Sequence, residues 1–299
     1  MPDQGARPHR RAALIGIGAS LVSSPALAAG PLAAIEKRTG GRLGVAALDV
    51  ASGARIGRRV DERFPMCSTF KAMAAAAVLE AVEDGAERLD RFVRYGAADL
   101  LGYAPVTRAH LAEGGMTLGE LCAAAVELSD NTAANLILSA IGGPAGWTAF
   151  VRRLGDDASR LDRTEPALNE ALPRDLRDTT TPAAMLADLQ AALLDGALAS
   201  ASAQRLRDWM LACKTGEARL RRGLGAGWRV ADKTGSGDNG TANDIAVAWG
   251  PRGPVVIACY LTGARVDDDA RDAAIADVGR AVAAAFTAPA ASRAKPAPG

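Results

Sequence analysis

The sequence predicts an α/β chain of the α+β type, in which an antiparallel sheet built from both chain ends is flanked by helices and an all-helical region is inserted between the two halves. Strand-like runs occur only near the ends, at 42–60 and 228–261, and the long middle reads as helices separated by polar turns. The 299 residues are 49% hydrophobic but only 4% aromatic, so the core is built mainly from Ala, Leu and Val. That length fills one large domain or two closely packed ones. A net charge of +1 gives no reason to expect nucleic acid or a membrane surface as a partner. The chain is expected to act as a monomer on a small molecule.

Residues 1–28 have the features of an export signal. Arg7, Arg10 and Arg11 give a basic start, Ala12 to Val22 an apolar stretch, and Ala26-Leu27-Ala28 an A-x-A cleavage site. The apolar run is too short and too rich in Gly and Ala to hold a membrane span, so the mature protein is expected in the periplasm or secreted. Arg10-Arg11 leaves the general secretory and twin-arginine routes both open. Losing three basic residues and one acidic residue with this leader turns the net charge from +1 to −1. The sheet unit then begins at 29–60. It has a short helix from Leu32 to Thr39 stopped by Gly40-Gly41, then strands at Arg42 to Val50 and Ala54 to Val60 joined by a turn at Ala51-Ser52-Gly53.

The all-helical insertion spans 61–213. Its first helix, Ser68 to about Val82, is apolar on every side and therefore buried. Thr117 and Glu120 form a capping box heading a helix to Leu128. A further helix runs from Thr132 to Ile141, where Gly142-Gly143 ends it. Residues 155–181 have little periodicity and many charges, and the part from 160 to 178 is expected to close as a compact Ω-loop. Thr181-Pro182 starts a helix by the N-cap and N1 preference, and Ser200 to Cys213 forms another. The sheet unit resumes over 214–286, with a strand from Trp228 into Lys233, strands at Asp244 to Gly250 and Val255 to Leu261, and a helix from Asp268 to Phe286. The Ala/Pro-rich residues 287–299 are expected to be disordered.

Ser68-Thr69-Phe70-Lys71 places a hydroxyl and an amine one helical turn apart on the same face. Such a pattern arises about once by chance in a chain of this length at average Ser and Lys usage. Ser292-Arg293-Ala294-Lys295 is such a chance copy, lying in the Pro/Ala tail. Ser68 instead starts a buried helix, where free N–H groups and the dipole favour negative charge, and burial acts on the pKa of Lys71. Ser129-Asp130-Asn131 forms a polar turn between two apolar helices, which by itself reads as an ordinary capping turn. Lys233-Thr234-Gly235 continues a strand, whereas the duplicate Lys214-Thr215-Gly216 ends a helix, where Lys and Gly are usual. Only His9 and His110 are present, which leaves neither a zinc cluster nor a Ser-His-Asp triad, and no metal or cofactor is expected. Cys67, Cys122, Cys213 and Cys259 lie far apart in apolar contexts and read as buried thiols.

The three motifs, joined by Glu165-Pro166-Ala167-Leu168-Asn169 in the long loop, occur in the order found in class A serine β-lactamases, which the chain resembles over residues 30–286. The resemblance implies hydrolysis of the lactam amide of penicillins and cephalosporins, and with it antibiotic resistance. Ser68 would form the acyl-enzyme, Lys71 and Ser129 would move protons, and Glu165 with Asn169 would activate the water that releases the acyl group. Whether Lys71 or Glu165 is the base for acylation is disputed in the family. The backbone N–H groups of Ser68 and Ser236 would bind the oxyanion. Lys233, Thr234, Gly235 and Ser236, with Arg219, would hold the substrate carboxylate. Asn131 would hold its side-chain amide, and Tyr103 would stand at the entrance. Arg163 paired with Asp178 would close the loop.

Two bridges made by some members lack a partner here. Cys122 has no cysteine to meet on the nucleophile's helix, and Gly237 stands where a partner of Cys67 would be. Carbapenem hydrolysis is neither implied nor excluded by that. Two other readings of the motifs are a penicillin-binding peptidase and a β-lactam sensor that binds without turnover. The Glu165/Asn169 pair argues against the first, and the lack of a signalling membrane segment after the leader argues against the second.

Overall fold

A computed structural model describes residues 26–287. Most of the expected leader (1–28) and nearly all of the expected tail (287–299) lie outside the described residues. Ala26–Ala28 instead head helix α1 (Ala26–Thr39), and Thr287 ends the last helix. Strands β1 (Arg42–Asp49) and β2 (Arg55–Arg58) follow α1, and β3 (Phe64–Pro65) leads through a 3-10 turn at Cys67–Thr69 into α2 (Phe70–Glu83). Then come β4 (Phe92–Arg94), α3 (Pro105–Ala109), β5 (Gly115–Thr117), α4 (Leu118–Glu127), α5 (Asn131–Ala140) and α6 (Gly143–Leu154). Past the Ω-loop lie β6 (Thr179–Thr180), α7 (Pro182–Leu193), α8 (Ser200–Leu211) and α9 (Leu220–Leu224). Strands β7 (Arg229–Gly237), β8 (Thr241–Gly250) and β9 (Gly253–Thr262) and helix α10 (Asp268–Thr287) complete the chain.

Five strands form one antiparallel sheet in the order β2-β1-β9-β8-β7, so the two chain ends meet at the β1–β9 pairing, with Val45 opposite Cys259. Both faces are covered. Along β9, Val255, Ile257, Cys259 and Leu261 point to the layer of α1, α9 and α10, while Val256, Ala258 and Tyr260 point to the core shared with α2, α7 and α8. The two-residue period of a strand makes this division, and burial on both sides makes the strands read as continuous apolar runs. Within 61–213 the regular elements are helices, joined by loops and by two short pairings, β3 with β6 and β4 with β5. These strands have two or three residues each, too short for an alternating pattern to register.

Helix α2 is the axis of the helical half. Its residues from Phe70 to Leu79 are all buried, and its run of alanines lets α4, α5, α6, α7 and α8 approach it. The Trp147 indole on α6 donates to the carbonyl of Phe70 at 3.0 Å, tying α6 to the start of α2. Lys71 is thereby carried into the centre of the fold on a helix with no solvent-facing side in that turn.

Candidate active site

The site forms where the start of α2, the α4–α5 turn, the Ω-loop and strand β7 converge. Ser68 lies in the 3-10 turn that runs on into α2, rather than in the α-helix itself. Strand β7 crosses this turn so closely that a side chain at Gly235 is impossible: a Cβ there would lie 2.8 Å from the Met66 carbonyl and 3.2 Å from the Ser68 nitrogen. That contact explains the glycine of the third motif. It also brings Lys233 to the α2 side of the strand and Thr234 and Ser236 to the α9 side, by the two-residue period. Cys67 (φ 45°) and Ser129 (φ 58°) hold left-handed backbone on either side of the site, a conformation that costs about 1–3 kcal/mol and needs firm surroundings.

Those surroundings are visible at the S-D-N turn. Asp130 is fully buried and caps α5 by accepting from Ala133 N at 2.9 Å, and it also accepts from Val106 N, Thr107 N and the Thr107 hydroxyl. The turn is thus both a helix cap and the platform of Ser129 and Asn131. The Lys71 ammonium meets Ser129 O at 2.8 Å, Asn131 Oδ1 at 2.6 Å and Glu165 Oε1 at 2.9 Å. Burial holds its pKa below the ordinary lysine range, and Glu165 offsets part of that shift. Lys233 Nζ donates to Ser129 Oγ at 3.0 Å and to Thr234 O at 2.8 Å, and burial brings its pKa down to about 8. Ser129 Oγ therefore accepts from Lys233 and, at 3.3 Å, from Lys71.

The Ω-loop delivers Glu165. Asp178, buried with φ 56°, accepts from Asp162 N (2.8 Å), Arg163 N (2.9 Å) and Arg163 Nε (2.6 Å), closing the loop at its neck. Arg163 also pairs with Glu170 at 2.6 Å. Glu165 is bonded through its backbone in both directions to Asn135: its N–H donates to Asn135 Oδ1 and its carbonyl accepts from Asn135 Nδ2, each at 2.9 Å. A 3-10 turn at Ala167–Asn169 brings the Asn169 amide to Glu165 Oε2 at 2.5 Å. The Ser68 hydroxyl donates to Glu165 Oε1 at 3.1 Å.

A cavity of about 290 Å³ opens onto this cluster. It is lined by Ser68, Tyr103, Ser129, Asn131, Asn169, Arg219, Thr234, Gly235 and Ser236. Lys71, Glu165 and Lys233 are buried behind them. Tyr103 stands 51% exposed at the rim. Arg219 is held by Asp272 on α10 at 2.6 Å, by the carbonyls of Gly235 and Asn243, and donates to Ser236 Oγ at 2.8 Å. A larger hollow of about 430 Å³ on the outer side of the Ω-loop, lined in part by Leu172, Pro173 and Leu176, contains none of these groups. Chemistry rather than size identifies the site. All four cysteines are buried free thiols, and Gly237 lies directly against Cys67.

Two lining or supporting residues were not expected from sequence. Asn135 follows Asn131 at i+4 on α5, and that shared face is the signal that marks it. Thr215 lines the cavity although its motif reads as a helix end.

The chain matches the sequence model of the "Beta-lactamase enzyme family" over residues 29–286. It is 51% identical to Beta-lactamase L2 of Stenotrophomonas maltophilia, covering 85% of this chain and 84% of that one. It is 46% identical to the Carbapenem-hydrolyzing beta-lactamase KPC of Klebsiella oxytoca, over 89% of this chain and 91% of the relative. Among solved structures, an ancestral (GNCA) class A beta-lactamase superposes with a TM-score of 0.85 at 62% identity, covering 87% of this chain and all of that one. The PenP protein of Rhodopseudomonas palustris, described as a putative class A beta-lactamase, gives 0.85 at 56% identity. The chain belongs to the class A serine β-lactamases.

Proposed function

We propose that Ser68, Lys71, Ser129 and Glu165 carry out β-lactam hydrolysis in this enzyme, with Asn131, Asn169, Lys233, Thr234, Gly235, Ser236, Tyr103 and Arg219 binding the substrate. One observation carries this reading: Glu165 Oε1 lies within hydrogen-bond distance of both the Ser68 hydroxyl and the Lys71 ammonium. The proton of Ser68 thus has two routes. It passes directly to Glu165, or to Lys71 once the lysine has given its own proton to Glu165 across 2.9 Å. Ser68 Oγ then adds to the lactam carbonyl, and the oxyanion rests on the N–H groups of Ser68 and Ser236. β7 is an edge strand, so its outer N–H groups are not all spent in the ladder.

Collapse of this intermediate breaks the C–N bond, and the nitrogen needs a proton. A hydroxyl has one donor and two acceptor positions. Because two ammonium groups fill the acceptor positions of Ser129, its hydrogen is left to point at the substrate. Ser129 gives that proton to the nitrogen and recovers one from Lys71. Glu165, which holds a proton by either route, returns it to Lys71 across their 2.9 Å contact. As a carboxylate again, it takes a proton from a water that attacks the ester. The bond between Ser68 Oγ and the acyl carbon then breaks, and Glu165 gives that proton back to Ser68. Asn169 Oδ1, buried and accepting from no described residue, is available to hold that water.

The substrate carboxylate sits between Lys233, Thr234, Ser236 and Arg219, where charge-assisted bonds are strongest. Residues 29–60 and 214–286 act as one structural unit and 61–213 as the second, and the site lies along their seam. Export through the leader at 1–28 and action as a periplasmic or secreted monomer complete the proposal. The test is steady-state hydrolysis of a chromogenic cephalosporin by the mature protein. Sustained turnover is expected, and a stoichiometric burst that stops would favour a sensor or peptidase.

A further inference from the structure

The Lys214-Thr215-Gly216 triplet, an apparent copy of the third motif, lies against that motif. Thr215 Oγ1 is 2.5 Å from Thr234 Oγ1 and 3.3 Å from Cys213 Sγ. The Lys214 N–H donates to Glu127 O at 2.8 Å, which anchors the segment to the end of α4. A Cβ on Gly216 would fall 1.6 Å from Asp232 Oδ2, so only a glycine lets the segment lie this close to β7. Thr215 is thereby held with one face on the cavity and its hydroxyl on Thr234.

A threonine hydroxyl has a single hydrogen to give. If Thr234 donates to Thr215, it has none for a substrate carboxylate. If Thr215 donates to Thr234, the Thr234 hydrogen is free to point into the cavity. Cys213 decides between these. Its buried sulfur, 3.3 Å from Thr215 Oγ1, is a weak acceptor beside the Thr234 oxygen at 2.5 Å, so the thiol serves as the donor. With the thiol donating into Thr215, the Thr215 hydrogen goes on to Thr234.

We propose that Thr215 is a positioning residue for carboxylate recognition, in which a chain from the Cys213 thiol through the Thr215 hydroxyl turns the Thr234 hydrogen toward the substrate carboxylate. This rests on the reading of Thr234 as part of the carboxylate site.

The test compares a penicillin with its own methyl ester, which lacks the anionic carboxylate. Thr215→Val keeps the shape and removes the hydroxyl. It should raise KM for the acid about tenfold, the weight of one hydrogen bond to a charged group, with kcat within about twofold. KM for the ester should not move. Thr215→Ser should restore the acid's KM, and Cys213→Ala should raise it by a smaller factor, about threefold. If Thr215→Val fails to fold, Thr215→Ala carries the same comparison. Equal losses on acid and ester, or an unchanged KM for the acid, would overturn the proposal. Thr234→Val separates the two levels. If it discriminates acid from ester while Thr215→Val does not, only the hydroxyl chain is wrong. If Thr234→Val does not discriminate either, the carboxylate site itself is misassigned.

Discussion

Replacing Asp178 by alanine tests how the Ω-loop serves Glu165. The carboxylate is fully buried and accepts three hydrogen bonds at 2.6–2.9 Å, two from backbone N–H groups and one from Arg163. Removing one partner of a buried ion pair costs about 3–5 kcal/mol. Arg163 retains Glu170 and is 18% exposed, which places the loss near the lower end. The loop relieves the penalty by opening, because water then reaches both N–H groups and the guanidinium. A shift of ~3 kcal/mol in favour of the open loop lowers the ratio of seated to open loops about a hundredfold. Ser68 and Lys71 sit outside the loop, so acylation is spared relative to deacylation. The expected outcome is a kcat lower by more than about threefold and by up to about a hundredfold, with acyl-enzyme as the main species in quenched samples analysed by mass spectrometry. Hydrogen exchange should accelerate across 160–178. A kcat within threefold of the parent and no accumulated acyl-enzyme would refute the reasoning.

Two further outcomes follow from buried charge. Lys233 binds the carboxylate only as the ammonium, and its pKa is about 8, so kcat/KM should fall as pH rises through 8. The fall should be larger for the acid than for its methyl ester, which depends on Lys233 only through Ser129. Asp188 lies buried near Asp156, and burial first, then Asp156, raises its pKa to about 9. A folded-state pKa above the unfolded value contributes stability at low pH that is lost as pH rises from about 4 through 9. Asp188→Asn should flatten that decline and raise the melting temperature at pH 9 by a few degrees, read by calorimetry. A variant whose melting temperature falls in parallel with the parent would show that Asp188 is not the group responsible.

Legibility in the sequence tracked how local the cause was. Ser68, Ser129 and Lys233 can be recognised because their signals lie within a few residues: Ser68 starts an apolar helix, Ser129 opens a polar turn and Lys233 continues a strand. Helix α6 is not legible in the sequence because Gly143, Pro144 and Gly146 head it, so its opening reads as a continued turn. Strand β8 begins at Thr241, not Asp244, because its polar start is used inside the fold. Asn243 donates to the carbonyls of Pro65 and Met66, and Asp244 accepts from Leu220 N. Such residues look like a turn until their distant partners are known. Thr215 and Asn135 share this origin, since their importance comes from Thr234 and Glu165, which are 19 and 30 positions away. The Arg163–Asp178 pair, by contrast, looks in sequence like an ordinary surface ion pair. Only the burial of Asp178 gives it weight.

The account stands most directly on the division of labour between Ser68 and Glu165. Glu165→Gln keeps the side chain's shape and removes its charge. Glu165 raises the Lys71 pKa, so its loss leaves more neutral Lys71 to accept the Ser68 proton. Acylation therefore continues while water activation stops. Mass spectrometry of the variant after exposure to a penicillin should find a long-lived adduct equal to the whole substrate mass, confined to the peptide carrying Ser68. Full turnover with no adduct, or an adduct on any other residue, would contradict the account.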